Sequence, residues 1–310
     1  MKPALLWTAA ALAAALLAPR WLDAGLLRLA AEVLLAIGMV QMWNLLAGYT
    51  GLLSLGHQIF VAAGAYVLFE ATRRLGVSPL AALPLAAVGG GVLAALLAPL
   101  LFRLREAYFA VGLWVLAEIG WLLVSKSPAL GGPGGQALDL SAVADLEAFG
   151  TDAFRAAVAI GVGLPLLLAA LLRSRVGLAL LTVRDNELAA RSIGVDVTRV
   201  RLLAFMVSGA GCALAGAAHY MGAMFVAPDA AFDINWVVMM LFATLIGGIG
   251  TQVGPVLGTL LWFALREATT GWLGWSGGSY LIAMGLLAMA VSLAAPGGLW
   301  PLVRRRRAGP

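Results

Sequence analysis

GYTGLLSLGHQIFVAAGAY, residues 48–66, places three glycines, a serine and a histidine at the head of a long apolar run. Two settings would tolerate such a stretch. In a soluble protein it is a turn leading into a buried helix. In a membrane protein it is the glycine-broken start of a span, whose freed backbone groups must be met by protein or by a water-filled path. Composition decides between them. Of the 310 residues, 62% are hydrophobic and only 11% are charged, against roughly 25% charged in an average soluble domain. Such a chain lacks the polar residues to cover its own outside, so lipid is its outer solvent.

The net charge of +5 does not point to nucleic acid, because the arginines cluster between hydrophobic segments, where they set orientation against an anionic leaflet. Cys212 is the single cysteine and lies in an apolar run. That excludes a disulfide framework and a thiolate metal site, and leaves a small buried hydrophobe. The opening MKPALLWTAAALAAALLAPR reads as a short first span, since LLAPR fits a small-x-small cleavage pattern poorly.

A span needs about 20 mostly apolar residues. Segmentation on that basis gives 4–18, 26–46, 53–72, 79–101, 106–124, 154–172, 202–223, 235–249, 253–270 and 279–297. The fold class expected is an all-α polytopic membrane protein of about ten helices with broken or re-entrant glycine-rich elements. It forms a single domain over 1–310. Residues 235–270 are either two spans or one long helix broken at Gly247, Gly248, Gly250, Gly254 and Pro255. With the amino terminus inside, most of the 20 lysines and arginines fall on the inner side. The RRRR tail, within the basic segment 304–310, and the loop 173–201 carry that assignment. Both termini are then cytoplasmic, although Arg73 and Arg74 fall outside. Trp21, Trp43, Trp272, Trp275 and Trp300 near predicted ends fit an interfacial belt.

Two hydrophilic segments remain. The outer one, 125–153, contains SPALGGPGGQ and the acidic Asp139, Asp145, Glu147 and Asp152. The inner one, RSRVGLALLTVRDNELAARSIGVDVTRVR, has apolar Leu180, Val183, Leu188 and Ile193 near helical spacing and a Glu187 to Arg191 pair at i,i+4. A short amphipathic helix from about 180 to 193 is expected, stopped by Gly194. Pattern alone leaves two readings: a helix lying on anionic lipid, or a docking element for a cytoplasmic partner.

ELAARSIG resembles the EAA loop of ABC importer permeases. GYTGLLSLGHQIFVAAGAY, AYFAVGLWVLAEI (107–119), GGPGGQ, TVRDNELAARSIGVDVTRVRLLAF and LIGGIGTQVGPVLG, in that order, are similar to the permeases of branched-chain amino-acid ABC importers, and the SLGH string to their M-type subunit. The resemblance implies that Arg184, Glu187, Ala189, Ala190, Arg191 and Gly194 form the contact with an ATPase. It also implies a heterodimer with a homologous second permease, two ATPase subunits that hold ATP and Mg, and an extracytoplasmic solute-binding protein, all at the cytoplasmic (inner) membrane. No G-x-x-x-x-G-K-[ST] string occurs, and GGIGTQVG lacks the lysine, so ATP is handled by another chain and this one binds no cofactor. Urea, amide, sugar or nucleoside permeases of the same superfamily remain alternatives. An ion-coupled secondary transporter using Glu32 and Glu118 is another, but would leave the docking loop unexplained.

Ionisable groups at membrane depth cost about 2.5–3.5 kcal/mol on translocon scales, so each invites a role. Glu118 lies mid-helix and is expected to face protein or water, whether structural or lining a path; Glu32 is similar, while Glu70 and Glu267 lie near helix ends. Glycine-dense backbone is tolerated at depth when buried or lining a cavity. The expected translocation path is therefore Gly48, Gly51, Ser54, Gly56, His57, Glu118, Gly247, Gly248 and Gly250. For His57, satisfaction of freed backbone groups outweighs proton chemistry. No metal site is expected, since His219 is not at ligand spacing and reads as packing. No nucleophile and base accompany His57 or Ser54, so no catalytic residue is expected. Gly209, Ala213 and Ala217 are at the spacing of close helix contacts.

Overall fold

The computed structural model describes residues 23–104, 107–141, 143, 145–272, 274, 278–294 and 297–300. The expected span at 4–18 and the basic tail at 304–310 lie outside these residues. Among the described residues the fold is all-α apart from one two-residue ladder.

Helix α1 (Ala24–Thr50) starts where the Asp23 carboxylate accepts from the Leu26 N–H at 3.1 Å and stops at Gly51, left-handed with φ 75°. After the turn 51–57 comes α2 (Gln58–Leu75), closed by Gly76 at φ 62°. Next, α3 (Pro79–Leu101) is capped by Ser78 and has Pro79 in its first turn, where the missing N–H costs nothing. Helix α4 (Ala107–Ser125) precedes two short 3-10 turns and strand β1 (Gln136–Ala137). Helix α5 (Leu146–Arg173) is followed by α6 (Arg175–Asp185), α7 (Glu187–Ser192) and α8 (Val197–Ala223). Strand β2 (Phe225–Val226), the short α9 (Pro228–Ala231), α10 (Asn235–Gly247), α11 (Val253–Glu267) and α12 (Gly278–Ala294) complete the order.

Helix α8 is the axis, packed by α1, α2, α3 and α5. Small residues set that closeness. A Cβ on Gly90 of α3 would lie 2.6 Å from the Gly209 carbonyl oxygen, and one on Gly64 of α2 would meet the Ala213 carbonyl. Backbones this near need the small-xxx-small face seen in Gly209, Ala213 and Ala217. Cys212 is fully buried beside Met39.

The helices alternate between two ends. At one end α1 finishes, α5 leads into α6 and α7, and α10 turns into α11. At the other, β1 pairs antiparallel with β2 (Gln136 with Val226), and Arg73 donates to the Ala129 carbonyl at 2.8 Å. Arg73 and Arg74 both pair with Glu70, at 2.7 and 2.5 Å, which offsets their charge at that end.

Several boundaries differ from expectation. Among the described residues six helices are long and apolar enough to cross a bilayer: Ala24–Thr50, Pro79–Leu101, Ala107–Ser125, Ala148–Arg173, Val197–Ala223 and, taking α9 and α10 together, Pro228–Gly247. The expected spans 53–72, 253–270 and 279–297 fall on α2, which carries Glu70, Arg73 and Arg74, and on α11 and α12, of 15 and 17 residues. Helix α2 begins at Gln58 rather than 53, because 51–57 is held as a turn. Helix α5 begins at 146 rather than 154, where the Asp145 carboxylate accepts from the Ala148 N–H. Residues 235–267 form two helices, not one broken helix. They pack antiparallel, since a Cβ on Gly247 would strike the Gly254 carbonyl and one on Gly258 the Ala243 carbonyl.

Candidate functional site

The segment 173–201 folds as two helices where one was expected. Helix α6 begins when the Ser174 hydroxyl accepts from the Gly177 N–H and stops at Asn186, which is extended at φ −158° and ψ 108°. The Asn186 side chain accepts from the Ala189 N–H at 3.0 Å and so caps α7. A short polar side chain that satisfies a backbone donor locally competes with continuation of the helix, which is why the periodicity over 180–193 is interrupted. Helix α7 ends in a Schellman arrangement: the Val195 N–H donates to the Ala190 carbonyl and the Gly194 N–H to the Arg191 carbonyl, both at 3.0 Å. Gly194 has φ 86°, the left-handed conformation this stop requires.

Charge pairs then fix α7 against α8. Glu187 accepts from Arg191 at 2.6 Å through one oxygen and pairs with Arg201 of α8 at 2.9 Å through the other. Ala190 is buried beneath, in a small cluster with Val183 and Val197. The outer surface is apolar at Leu188 and Ile193, 76% and 72% exposed, with Ala189, Arg191 and Gly194 open beside them.

Arg184 points the other way. Its guanidinium donates to the Gly48 carbonyl at 3.1 Å, in the last turn of α1, where a cation also meets the negative end of the helix dipole. Gly48 is itself against Gly250: a Cβ on Gly48 would lie 2.6 Å from the Gly250 nitrogen. Gly250, at φ 72°, donates its N–H to the Asn44 side-chain oxygen at 2.9 Å. The Asn44 amide donates in turn to the Thr251 carbonyl at 2.8 Å, and Gln41 to the Gln252 carbonyl at 2.5 Å. Two side chains of α1 thus satisfy the backbone freed between α10 and α11, as lipid would not. Gly247 and Gly248 complete the turn, the latter donating to the Thr244 carbonyl at 2.9 Å.

The turn 51–57 forms a second knot. Gly56 packs on the Leu113 carbonyl of α4 with no room for a Cβ. The Ser208 hydroxyl of α8 donates to the Met42 carbonyl at 2.7 Å, so it accepts from His57 Nε2 at 2.8 Å. His57 Nδ1 then accepts from the Ser54 hydroxyl at 2.5 Å, which makes the ring a neutral Nε2–H tautomer. Trp43 donates to the Ser54 carbonyl at 3.0 Å. With every hydrogen of this network spent, the arrangement is one of structural satisfaction.

The expected residues therefore separate. Gly48, Gly247, Gly248, Gly250 and Arg184 come together; Ser54, Gly56 and His57 form the neighbouring knot; Gly51 caps α1 with open space around it. Glu118 joins neither. It sits on the exposed face of α4, accepting from the Trp114 indole at 3.0 Å. Gln41, Asn44 and Ser208 join these networks although they are not among the expected residues. Their signal was there: Gln41, Asn44 and Gly48 recur at helical spacing inside an apolar run, and buried intramembrane amides require partners.

Residues 21–294 match the family described as branched-chain amino acid transport system / permease component. The high-affinity branched-chain amino acid transport system permease protein LivM of Salmonella typhimurium (strain LT2) is 28% identical over 302 residues, covering 88% of this chain and 68% of that protein. LivM of Escherichia coli (strain K12) is 27% identical over the same extents. No solved structure matches the chain.

Proposed function

Because the chain belongs to the branched-chain amino acid transport system permease family, we propose that it is the M-type permease subunit of an ATP-driven importer of branched-chain amino acids. It is a multi-pass membrane protein and a transport subunit, not an enzyme. In this reading it sits in the cytoplasmic membrane with about ten spans and both termini inside, the end bearing α6 and α7 faces the cytoplasm, and 304–310 is a basic inner tail. A homologous permease, two ATPase subunits carrying ATP and Mg, and an extracytoplasmic binding protein complete the assembly.

The observation that carries the reading is the Arg184 bond to Gly48. It joins a helix pair with an exposed apolar surface to both glycine breaks of the bundle. An ATPase seated on Leu188, Ala189, Arg191, Ile193 and Gly194 would move α7, and α6 with it. Arg184 would then draw on the end of α1 and on the α10 to α11 turn, exchanging outward for inward access. The partner permease would cover the open face of α4, where Glu118 would otherwise face lipid at considerable cost. Glu187→Lys and Gly194→Glu are expected to abolish copurification of the ATPase and leucine uptake. Unchanged association and uptake in both variants would sink the proposal.

A further inference from the structure

A cavity of about 210 Å³ lies between the amino-terminal ends of α1 and α5 and the carboxy-terminal end of α8, remote from the docking segment. That volume is below the roughly 300–1,000 Å³ of drug-sized pockets, so an occupant must be small. Its wall is small and apolar, with Leu27, Leu35, Phe149 and Phe154 as the largest members. Phe149 and Phe154 are buried, at 4% and 5% exposure.

Among the lining residues the polar side chains are Arg28, Glu32 and His219. Arg28 and Glu32 have opposite charge and stand one helical turn apart on α1, in a loose pair at 3.6 Å with Arg28 73% exposed. Glu32 turns its other oxygen to Arg266 of α11 at 3.2 Å, which holds the carboxylate in place. His219 is propped edge-on between Tyr220 and Trp236, at ring-centroid distances of 5.1 and 4.9 Å. Its ring nitrogens have no hydrogen-bond partner among the described residues. The imidazole is only half-buried and lines the cavity, so its ring nitrogens are open to a polar group bound there.

We propose that this cavity is an extracytoplasmic receiving site for a zwitterionic amino acid with an apolar side chain. The ligand's ammonium meets Glu32, its carboxylate meets Arg28 and accepts from His219, and its side chain lies against Leu27, Leu35, Phe149 and Phe154. The inference deepens the permease reading and rests on it. A loose, half-exposed ion pair gains little by staying closed, so the two charges can exchange partners and release the ligand again. A sugar would set hydroxyls against the apolar wall without using either charge, and urea would leave the wall empty. The site therefore favours one substrate class within the superfamily.

The test uses the assembled transporter in right-side-out proteoliposomes. Native Cys212 is buried, so Ala153→Cys, in the cavity wall, gives this chain one accessible thiol, read on its own band after the subunits are separated. A membrane-impermeant cationic methanethiosulfonate added outside is expected to label it, and leucine at about ten times its Kd to slow labelling about tenfold. Leucinol, which lacks the carboxylate, and 4-methylpentanoate, which lacks the ammonium, are expected to give no protection. Glu32→Gln in the same background is expected to remove protection by leucine while the subunits still copurify. If the preparation carries no apolar amino acid, the permease reading fails, and the cavity proposal with it. If it carries leucine but the thiol is unlabelled from outside, or leucine and both analogues protect equally, the receiving site is overturned while the permease reading stands.

Discussion

The docking segment and the Gly48 to Gly250 junction solve one problem in opposite ways. Each ends helices and must find partners for the freed N–H and carbonyl groups. At α7 the partners are local: Asn186 serves Ala189, and Ala190 and Arg191 serve Val195 and Gly194. At the junction they are remote: Asn44 and Gln41 reach 206 to 211 residues along the chain, to Gly250, Thr251 and Gln252. Local capping makes α7 a self-contained unit, seated on α8 through Glu187 and Arg201 with its apolar surface open. Remote capping locks α1 to α10 and α11, and Arg184 is the strut between the two regimes.

Substitutions can break this contrast, most severely where backbones touch. Gly64→Val would force α2 away from the Ala213 carbonyl, and because the obstacle is backbone, the cost exceeds the about 1–3 kcal/mol typical of overpacking. The expected result is loss of a monodisperse peak in detergent size-exclusion chromatography. Asn44→Leu comes next. It strands the Gly250 N–H and the Thr251 carbonyl at roughly 1–3 kcal/mol each, to be read as a lower unfolding midpoint in a thermal aggregation assay.

Arg184→Gln sharpens the comparison instead of destroying either side. The guanidinium is 37% exposed, so the bond to Gly48 contributes about 1 kcal/mol or less after solvent screening. Stability and ATPase copurification should hold while ATP hydrolysis no longer drives leucine uptake; normal coupling would remove the strut from the account. Asn186→Ala has the smallest effect, a lost cap of about 1 kcal/mol. It should let α6 and α7 merge, visible as slowed amide exchange at Glu187 and Leu188.

Legibility followed the range of the interactions. The Glu187 to Arg191 pair, the stop at Gly194 and the close-packing face of Gly209 and Ala213 were readable, because each depends on residues within a turn or two. The break at Asn186 was equally local, yet the apolar periodicity across it masked the capping signal. His57 could be placed in a glycine turn, but its tautomer depends on Ser208, 151 residues away, and on what Ser208 does with its own hydrogen. Depth in a hydrophobic run could not say which face of α4 carries Glu118; the carboxylate lies on the open one.

By itself the sequence determined that lipid is the solvent, that helices carry the fold, and that an amphipathic element interrupts them between 173 and 201. Those properties follow from composition and from spacings of three or four residues, which act before any tertiary contact forms. Tertiary structure alone decided that Arg184 bonds to Gly48, that 235–267 is a hairpin, and that Arg28, Glu32 and His219 share a cavity. Such relations depend on which helices pack together, and glycines set that packing only when a facing backbone arrives to fill the space they leave.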